Sequence, residues 1–345
     1  MVDIQQLTKE NLFLPDATRG AVRFLTTKQL KDTGTKALVT NTLHLLINYG
    51  ADHIAELGGI KKLMNWDGMV LTDSGGFQLF SLIHSGKWRG KINENGAIFK
   101  SPKEGNTYEL TPESSIDIQI KIGGDVMVCL DDCRKTNLTR KEAEISVERT
   151  LKWARRCKDH FEKEYGGTKK SGKLLTCVVQ GANFLDLRES CAKNLVEMNF
   201  DGYNFGGFVV DEKGELVLDE MKAVVENIPK DKIRYAMGVG KPEDIRKAAS
   251  VGFRWFDTVL VTRNARHGTL YSSDIEGEVL RITNSKYSND LNPIDSKCDC
   301  EVCKNYNRAY IHHLLRIGEA TGMTLASIHN LRYYQRLVED LTSDL

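Results

Sequence analysis

Short apolar runs that end in polar or glycine-containing turns recur along the chain, and most lead into a stretch whose apolar residues have helical spacing. Residues 12–17, 37–40, 69–73, 126–131, 174–180, 203–206, 235–239 and 256–260 read as buried strands. Helical patterns start at 28–32 and continue at 115–122, 141–164, 185–198, 218–227 and 243–250. Strand–helix alternation repeated about eight times predicts an α/β fold, a parallel (β/α)8 TIM barrel. A doubly wound open sheet shares the alternation, but it usually carries a glycine-rich phosphate loop after its first strand, and none stands here.

Two segments break the rhythm. Residues 81–110 alternate polar and apolar positions between Gly and Asn turns, which predicts a β-hairpin insertion. After Leu260 the alternation stops: 262–295 reads as irregular with short strands, and 305–319 and 325–342 as helices. Residues 1–345 are therefore expected to form a single barrel domain, with the 81–110 insertion and a C-terminal subdomain at 262–345.

Composition narrows the class. The 345 residues are 41% hydrophobic and 28% charged, enough apolar material for a sizeable core. Forty-eight basic residues offset 47 acidic ones to leave a net charge of +1, so a nucleic-acid partner would need a local basic patch. No apolar stretch approaches the roughly 20 residues that span a bilayer. The start, MVDIQQLTKENLF, lacks the basic and apolar regions of a secretory leader, so the expected location is the cytoplasm, with no membrane partner.

The eight cysteines are unevenly spread, with Cys298, Cys300 and Cys303 clustered. With His329 these make three thiolates and one imidazole, a closed tetrahedral set suited to one structural Zn2+ per subunit, and they make 262–345 a zinc-binding subdomain. His312 and His313 are rivals for the fourth position. In a barrel, the residues at the C-terminal strand ends face the active site. Here those are Asp73, Asp131, Gln180, Gly206-Gly207, Met237 and Asp257. Carboxylates flanking a cavity suit glycosidic-bond chemistry, and an amide beside a diglycine suits a planar heterocycle with mixed donors and acceptors. Arg263 and Arg266 follow the last strand and are placed to clamp phosphates or bases.

LTDSGGFQ at 71–78, NFGG at 204–207, YAMGVG at 235–240, FDTVL at 256–260 and the Cys–His set together resemble the tRNA-guanine transglycosylases over about residues 12–341. The resemblance implies a zinc-bearing barrel that exchanges guanine at the wobble position of GUN-anticodon tRNAs for a 7-deazaguanine, within queuosine biosynthesis, and works as a homodimer. It makes Asp257 the nucleophile and Asp73 the acid/base. Asp131, Gln180, Gly207 and Phe208 would contact the base and Phe77 and Met237 would sandwich it. Ser74 and Asn41 would support the site, and Arg263 and Arg266 would touch the anticodon. Cys133 and Val210 match the bacterial pattern that takes 7-aminomethyl-7-deazaguanine, whereas queuine-using relatives tend to have Gly at 210. Phe208, Val209, Asp211, Val261 and Leu43 depart from the usual family residues.

Overall fold

The computed structural model describes residues 4–101, 105–134 and 137–343. In chain order its strands are β1 (Leu12–Pro15), β2 (Ala37–Asn41), β3 (Met69–Asp73), β4 (Gly90–Asn93), β5 (Gly96–Lys100), β6 (Thr107–Leu110), β7 (Val126–Val128), β8 (Leu174–Val179), β9 (Gly202–Phe205), β10 (Ile233–Ala236), β11 (Trp255–Thr258), β12 (Thr269–Tyr271) and β13 (Val279–Arg281). Eight of them form one parallel sheet in the order β1-β11-β10-β9-β8-β7-β3-β2. The sheet's ends meet through a bridge between Asp16 and Val39, with Ala17 N donating to Val39 O at 2.7 Å and Asn41 N to Thr18 O at 3.3 Å. The predicted barrel is present and nearly closed.

Alternation along each strand divides the core in two. Leu12, Leu14, Ala37, Val39, Met69, Leu71, Val126, Val128, Leu174, Val178, Ile233, Tyr235 and Trp255 pack together inside the barrel. Their neighbours Phe13, Leu38, Val70, Met127, Cys177, Phe205 and Phe256 face the helices outside. Carrying the inward series one step past each strand's apolar part reaches Asp16, Asn41, Asp73, Gln180, Met237 and Asp257. The parity that fills the core thus also selects what stands at the mouth.

Several predicted boundaries shift. The strand expected over 126–131 stops at Val128, so Asp131 lies in the coil beyond it. Those expected over 235–239 and 256–260 start earlier and end at Ala236 and Thr258. The 81–110 insertion is a three-stranded antiparallel sheet, β4-β5-β6, rather than a hairpin, and residues 81–84 belong to the helix Gly76–His84. The irregular stretch expected from 262 begins inside a helix, Leu260–Arg266, because no turn residue interrupts LVTRNAR.

The hairpin β12-β13 and the helices Glu301–Asn305 and Arg308–Arg316 enclose a separate core of Leu270, Leu280, Ile282, Ile294, Ile311 and Leu314. The chain then returns to the barrel. In the helix Ala320–Ser343, the Tyr334 ring lies 4.9 Å from that of Phe13, and Gln335 Nε2 donates to Phe13 O at 3.1 Å. This helix covers β1 and supplies the last outer layer. Among the described residues no helix is long and apolar enough to cross a membrane.

Candidate active site and metal centre

One cavity of about 720 Å3 opens at the C-terminal ends of the barrel strands, a volume ordinary for a small-molecule site. Asp73, Asp131 and Asp257 all line it, so the two carboxylates read as a catalytic pair share one chamber. Gly75 N and Asn41 Nδ2 donate to Asp73, the latter to Oδ2 at 2.8 Å. Burial pushes the Asp73 carboxyl up to about 6, and the charge of Asp257 adds to this. Asp257 Oδ1 accepts from Tyr235 Oη at 2.6 Å and from Gly238 N at 2.9 Å. Burial lifts Asp257 to about 6 as well, against the pull of those two donors. The two carboxyls therefore titrate where either can be acid or base at small cost.

A second polar group stands at the β7, β8 and β9 ends. Gln180 Nε2 donates to Asp131 Oδ2 at 2.7 Å, and burial holds Asp131 up at about 7. The next residue anchors this loop. Asp132 Oδ2 accepts from Arg149 Nη1 at 2.7 Å and from Arg134 Nη2 at 2.8 Å, while Ser146 Oγ donates to Asp132 O at 2.6 Å. Gly206 must lack a side chain, since a Cβ there would meet Val178 Cγ1 at 2.3 Å, and Gly207 takes a left-handed φ of 88°. The buried Arg188 ties the floor together, its Nη1 donating to Val179 O at 2.7 Å and Gly206 O at 2.9 Å. Phe77, Phe208 and Met237 line the chamber, and the Phe77 and Phe208 rings meet nearly edge-on at 6.0 Å.

Three predicted residues lie outside this wall, among them Gln180, which lines the neighbouring cavity and reaches the chamber through its bond to Asp131. Ser74 is buried, its Oγ accepting from Gly76 N at 3.3 Å, and it is not among the residues of the cavity wall. Arg263 reaches the wall, whereas Arg266 is not among its residues and feels the charge of Arg23. Asp16, Thr18, Gln78, Tyr235 and Gly238 also line the chamber and had not been singled out. Parity was the available signal for Asp16 and Tyr235, which continue the inward series of Leu14 and Ile233.

Cys298, Cys300, Cys303 and His329 converge, their ligand atoms all within 4.8 Å of one another. His329 Nε2 is paired with Tyr271 O at 2.7 Å, which leaves Nδ1 facing the thiols. Nδ1 lies 3.2 Å from Cys303 Sγ and 3.8 Å from Cys300 Sγ. A ring nitrogen fixed by a backbone carbonyl while the other points at three sulfurs is the arrangement of a metal ligand. His312 is outside this set, with its Nδ1 on Ile282 O at 2.7 Å.

A parallel barrel with a pair of buried, raised carboxyls at its mouth, an amide–carboxyl pair nearby and a lobe built on a Cys3His cluster has the layout of a barrel enzyme with its site at the strand ends. The family model described as queuine tRNA-ribosyltransferase matches residues 5–344. A queuine tRNA-ribosyltransferase of Tolumonas auensis is 42% identical over 329 residues, covering 95% of this chain and 85% of the relative. One from Vibrio atlanticus is 42% identical over 96% of this chain and 85% of its own length, and one from Acinetobacter baylyi 40% over 97% and 84%. The chain belongs to the queuine tRNA-ribosyltransferase family, the tRNA-guanine transglycosylases, and is a pentosyltransferase.

Proposed function

We propose that the protein exchanges guanine at the wobble position of GUN-anticodon tRNAs for 7-aminomethyl-7-deazaguanine through a ribosyl ester on Asp257. The observation that carries this is the shared chamber of Asp73 and Asp257, each held near 6, with the charge of Asp257 among the causes that raise Asp73. The reacting nucleotide leaves the anticodon stack and enters the chamber. Asp257 attacks C1′, the bond from C1′ to N9 breaks, and the departing guanine takes a proton at N9 from Asp73. An incoming base then returns a proton from its N9 to Asp73, and N9 displaces the Asp257 carboxylate from C1′. Asp131, Gln180, Gly207 and Phe208 hold the edge of each base in turn, Phe77 and Met237 cover its faces, Asn41 in the wall steadies Asp73, and Ser74 supports the wall from outside it. Arg263, in the cavity wall, and Arg266, on the same helix, contact the anticodon beside the flipped base.

Cys298, Cys300, Cys303 and His329 would hold Zn2+, whose closed coordination supplies folding energy and no open position for chemistry. A second copy of this chain is the proposed protein partner. Supporting this, Leu291, Tyr306, Tyr310 and Ile317 are exposed on the metal lobe. The cytoplasm is the proposed compartment, since tRNA is the substrate.

Purified protein is expected to incorporate radiolabelled guanine into an unmodified tRNA with guanosine at the wobble position. The Asp257→Ala variant should lose both this and a denaturant-stable tRNA adduct while remaining folded by circular dichroism. Incorporation that survives the substitution refutes the assignment.

Cys133 and Val210 support the aminomethyl base. One feature favours queuine instead: a second cavity of about 450 Å3 shares Gly207 and Phe208 with the first and is lined by Gln180, Val210, Asp211 and Glu212. That is more room than an aminomethyl group fills. Competition of the two bases against labelled guanine decides between them.

A further inference from the structure

Asp16 is a carboxylate of the chamber that the exchange chemistry leaves unused. It continues the inward series of Leu12 and Leu14 on β1, and it bridges to Val39 where the barrel closes. The register of β1 against β11 sets Leu14 opposite Asp257, so Asp16 stands farther toward the mouth on the neighbouring strand. Its charge is one of the causes that raise Asp257. Asp16 Oδ1 accepts from Thr18 N at 2.9 Å and from the Thr18 hydroxyl. Oδ2 forms no hydrogen bond or ion pair among the described residues, although Asp16 lines the cavity.

The arrangement of the chamber decides what that oxygen can meet. Asp131, Gln180 and Gly207 occupy the β7–β9 side and hold the base, while Asp257 on β11 reaches C1′. The rest of the sugar then lies toward β11, β1 and β2, where Asp16, Thr18, Val39 and Arg263 form the wall. In a nucleotide inside a chain both the 3′ and 5′ oxygens are esterified, so the only hydroxyl left is the 2′-OH. A carboxylate only accepts hydrogen bonds and repels phosphate oxygens, which leaves that hydroxyl as its partner.

We infer that Asp16 Oδ2 accepts a hydrogen bond from the 2′-hydroxyl of the reacting ribose, and that Asp16 is the residue by which this enzyme tells a ribonucleotide from a deoxyribonucleotide at the exchange site. The inference rests on the exchange reading above and adds a sugar determinant to it. The bond also has a kinetic role. Positive charge grows on the sugar ring in the transition state, so a hydroxyl polarised by an anion beside C1′ interacts more strongly there than in the bound ground state.

The test pairs a protein substitution with a substrate deletion, which isolates the one contact. Guanine exchange is measured on two tRNA transcripts with a GUN anticodon that differ only at the wobble nucleotide, guanosine or 2′-deoxyguanosine. Wild type, Asp16→Ala and Asp16→Asn are compared. Asp16→Ala is expected to lower kcat/KM on the ribo transcript about tenfold or more and to change the deoxy value less than twofold. The ratio between the substrates contracts accordingly. Asp16→Asn keeps an acceptor for Thr18, so it provides a folded variant if the alanine protein melts early, and the ratio is expected to contract in it as well. Equal losses on both transcripts, or no loss on either, would overturn this inference alone. Wild-type enzyme inert on both would overturn the exchange reading and this inference with it.

Discussion

Tyr235 Oη and Gly238 N both donate to Asp257, and hydrogen bonds to the charged form of a carboxyl hold its pKa down against burial. Removing one of them with Tyr235→Phe lets burial win by more. The acidic limb of adduct formation, read by quenched-flow single-turnover at several pH values, is expected to move up by about one unit. The same raised carboxyls act on stability. Asp73 and Asp257 sit at about 6 and Asp131 at about 7, all above their unfolded value. Between the unfolded and folded values the native state binds more protons than the unfolded chain, so the contribution is fully present below about 4 and is lost as pH rises through 6–7. Asp131→Asn is therefore expected to raise the melting temperature at pH 8 by several degrees and to leave it little changed at pH 4. A scanning-calorimetry pair at the two pH values checks the sign. The active site holds these carboxyls at a cost to the fold, as chemistry in a barrel mouth requires.

At the scale of elements, the long helix Arg140–Tyr165 braces the loop that carries Asp131. It holds Asp132 through Arg149 and Ser146, and Thr150 Oγ1 accepts from Asp132 N at 3.1 Å. Arg149 also grips Glu94 Oε1 at 2.7 Å, in the turn between β4 and β5, so the inserted sheet braces the same loop. The Asp132 side chain is 2% exposed, and deleting its charge leaves two guanidinium groups without their shared anion. Asp132→Asn is expected to cost about 3 kcal/mol of stability. It should also raise KM for free guanine about tenfold with a smaller change in kcat, a split that steady-state exchange kinetics resolves.

Much of this element layout was legible in the chain. Asp73, Gln180 and Asp257 are in phase with apolar strand residues, so the alternation places them at the mouth. Asp131 is out of phase with Val126 and Val128 because β7 ends three residues before it, and no local pattern announces that end. Asp16 and Tyr235 have the right phase but sit inside runs that read as plain strand. Arg188 and Asp132 act through contacts with residues distant in sequence, which periodicity does not record.

At the scale of the molecule, the Cys3His centre and the catalytic mouth are joined by one helix. His329 faces the thiols, and its neighbour Asn330 donates to Val261 O and Thr269 O, each at 3.1 Å. Further along, Tyr334 Oη donates to Gly240 O at 2.6 Å, beside the β10 end. Loss of the metal is thus expected to loosen the helix Leu260–Arg266, which carries Arg263 and Arg266, before it disturbs Asp73. Chelator-treated protein should lose one equivalent of bound metal by elemental analysis and melt about 10 °C or more below the metal-loaded protein. Its affinity for tRNA should fall further than its affinity for free guanine. Cys303→Ser should reproduce that pattern without chelator.

The segment Ala320–Ser343, which both carries the imidazole and seals β1, is translated after every strand of the barrel. A nascent chain still short of it has three thiolates awaiting a fourth ligand and an apolar strand, Phe13 at its centre, open to water. A chain truncated before residue 320 is therefore expected to be cut by added protease at a concentration that spares the full chain, and the missing cover over β1 is the reason.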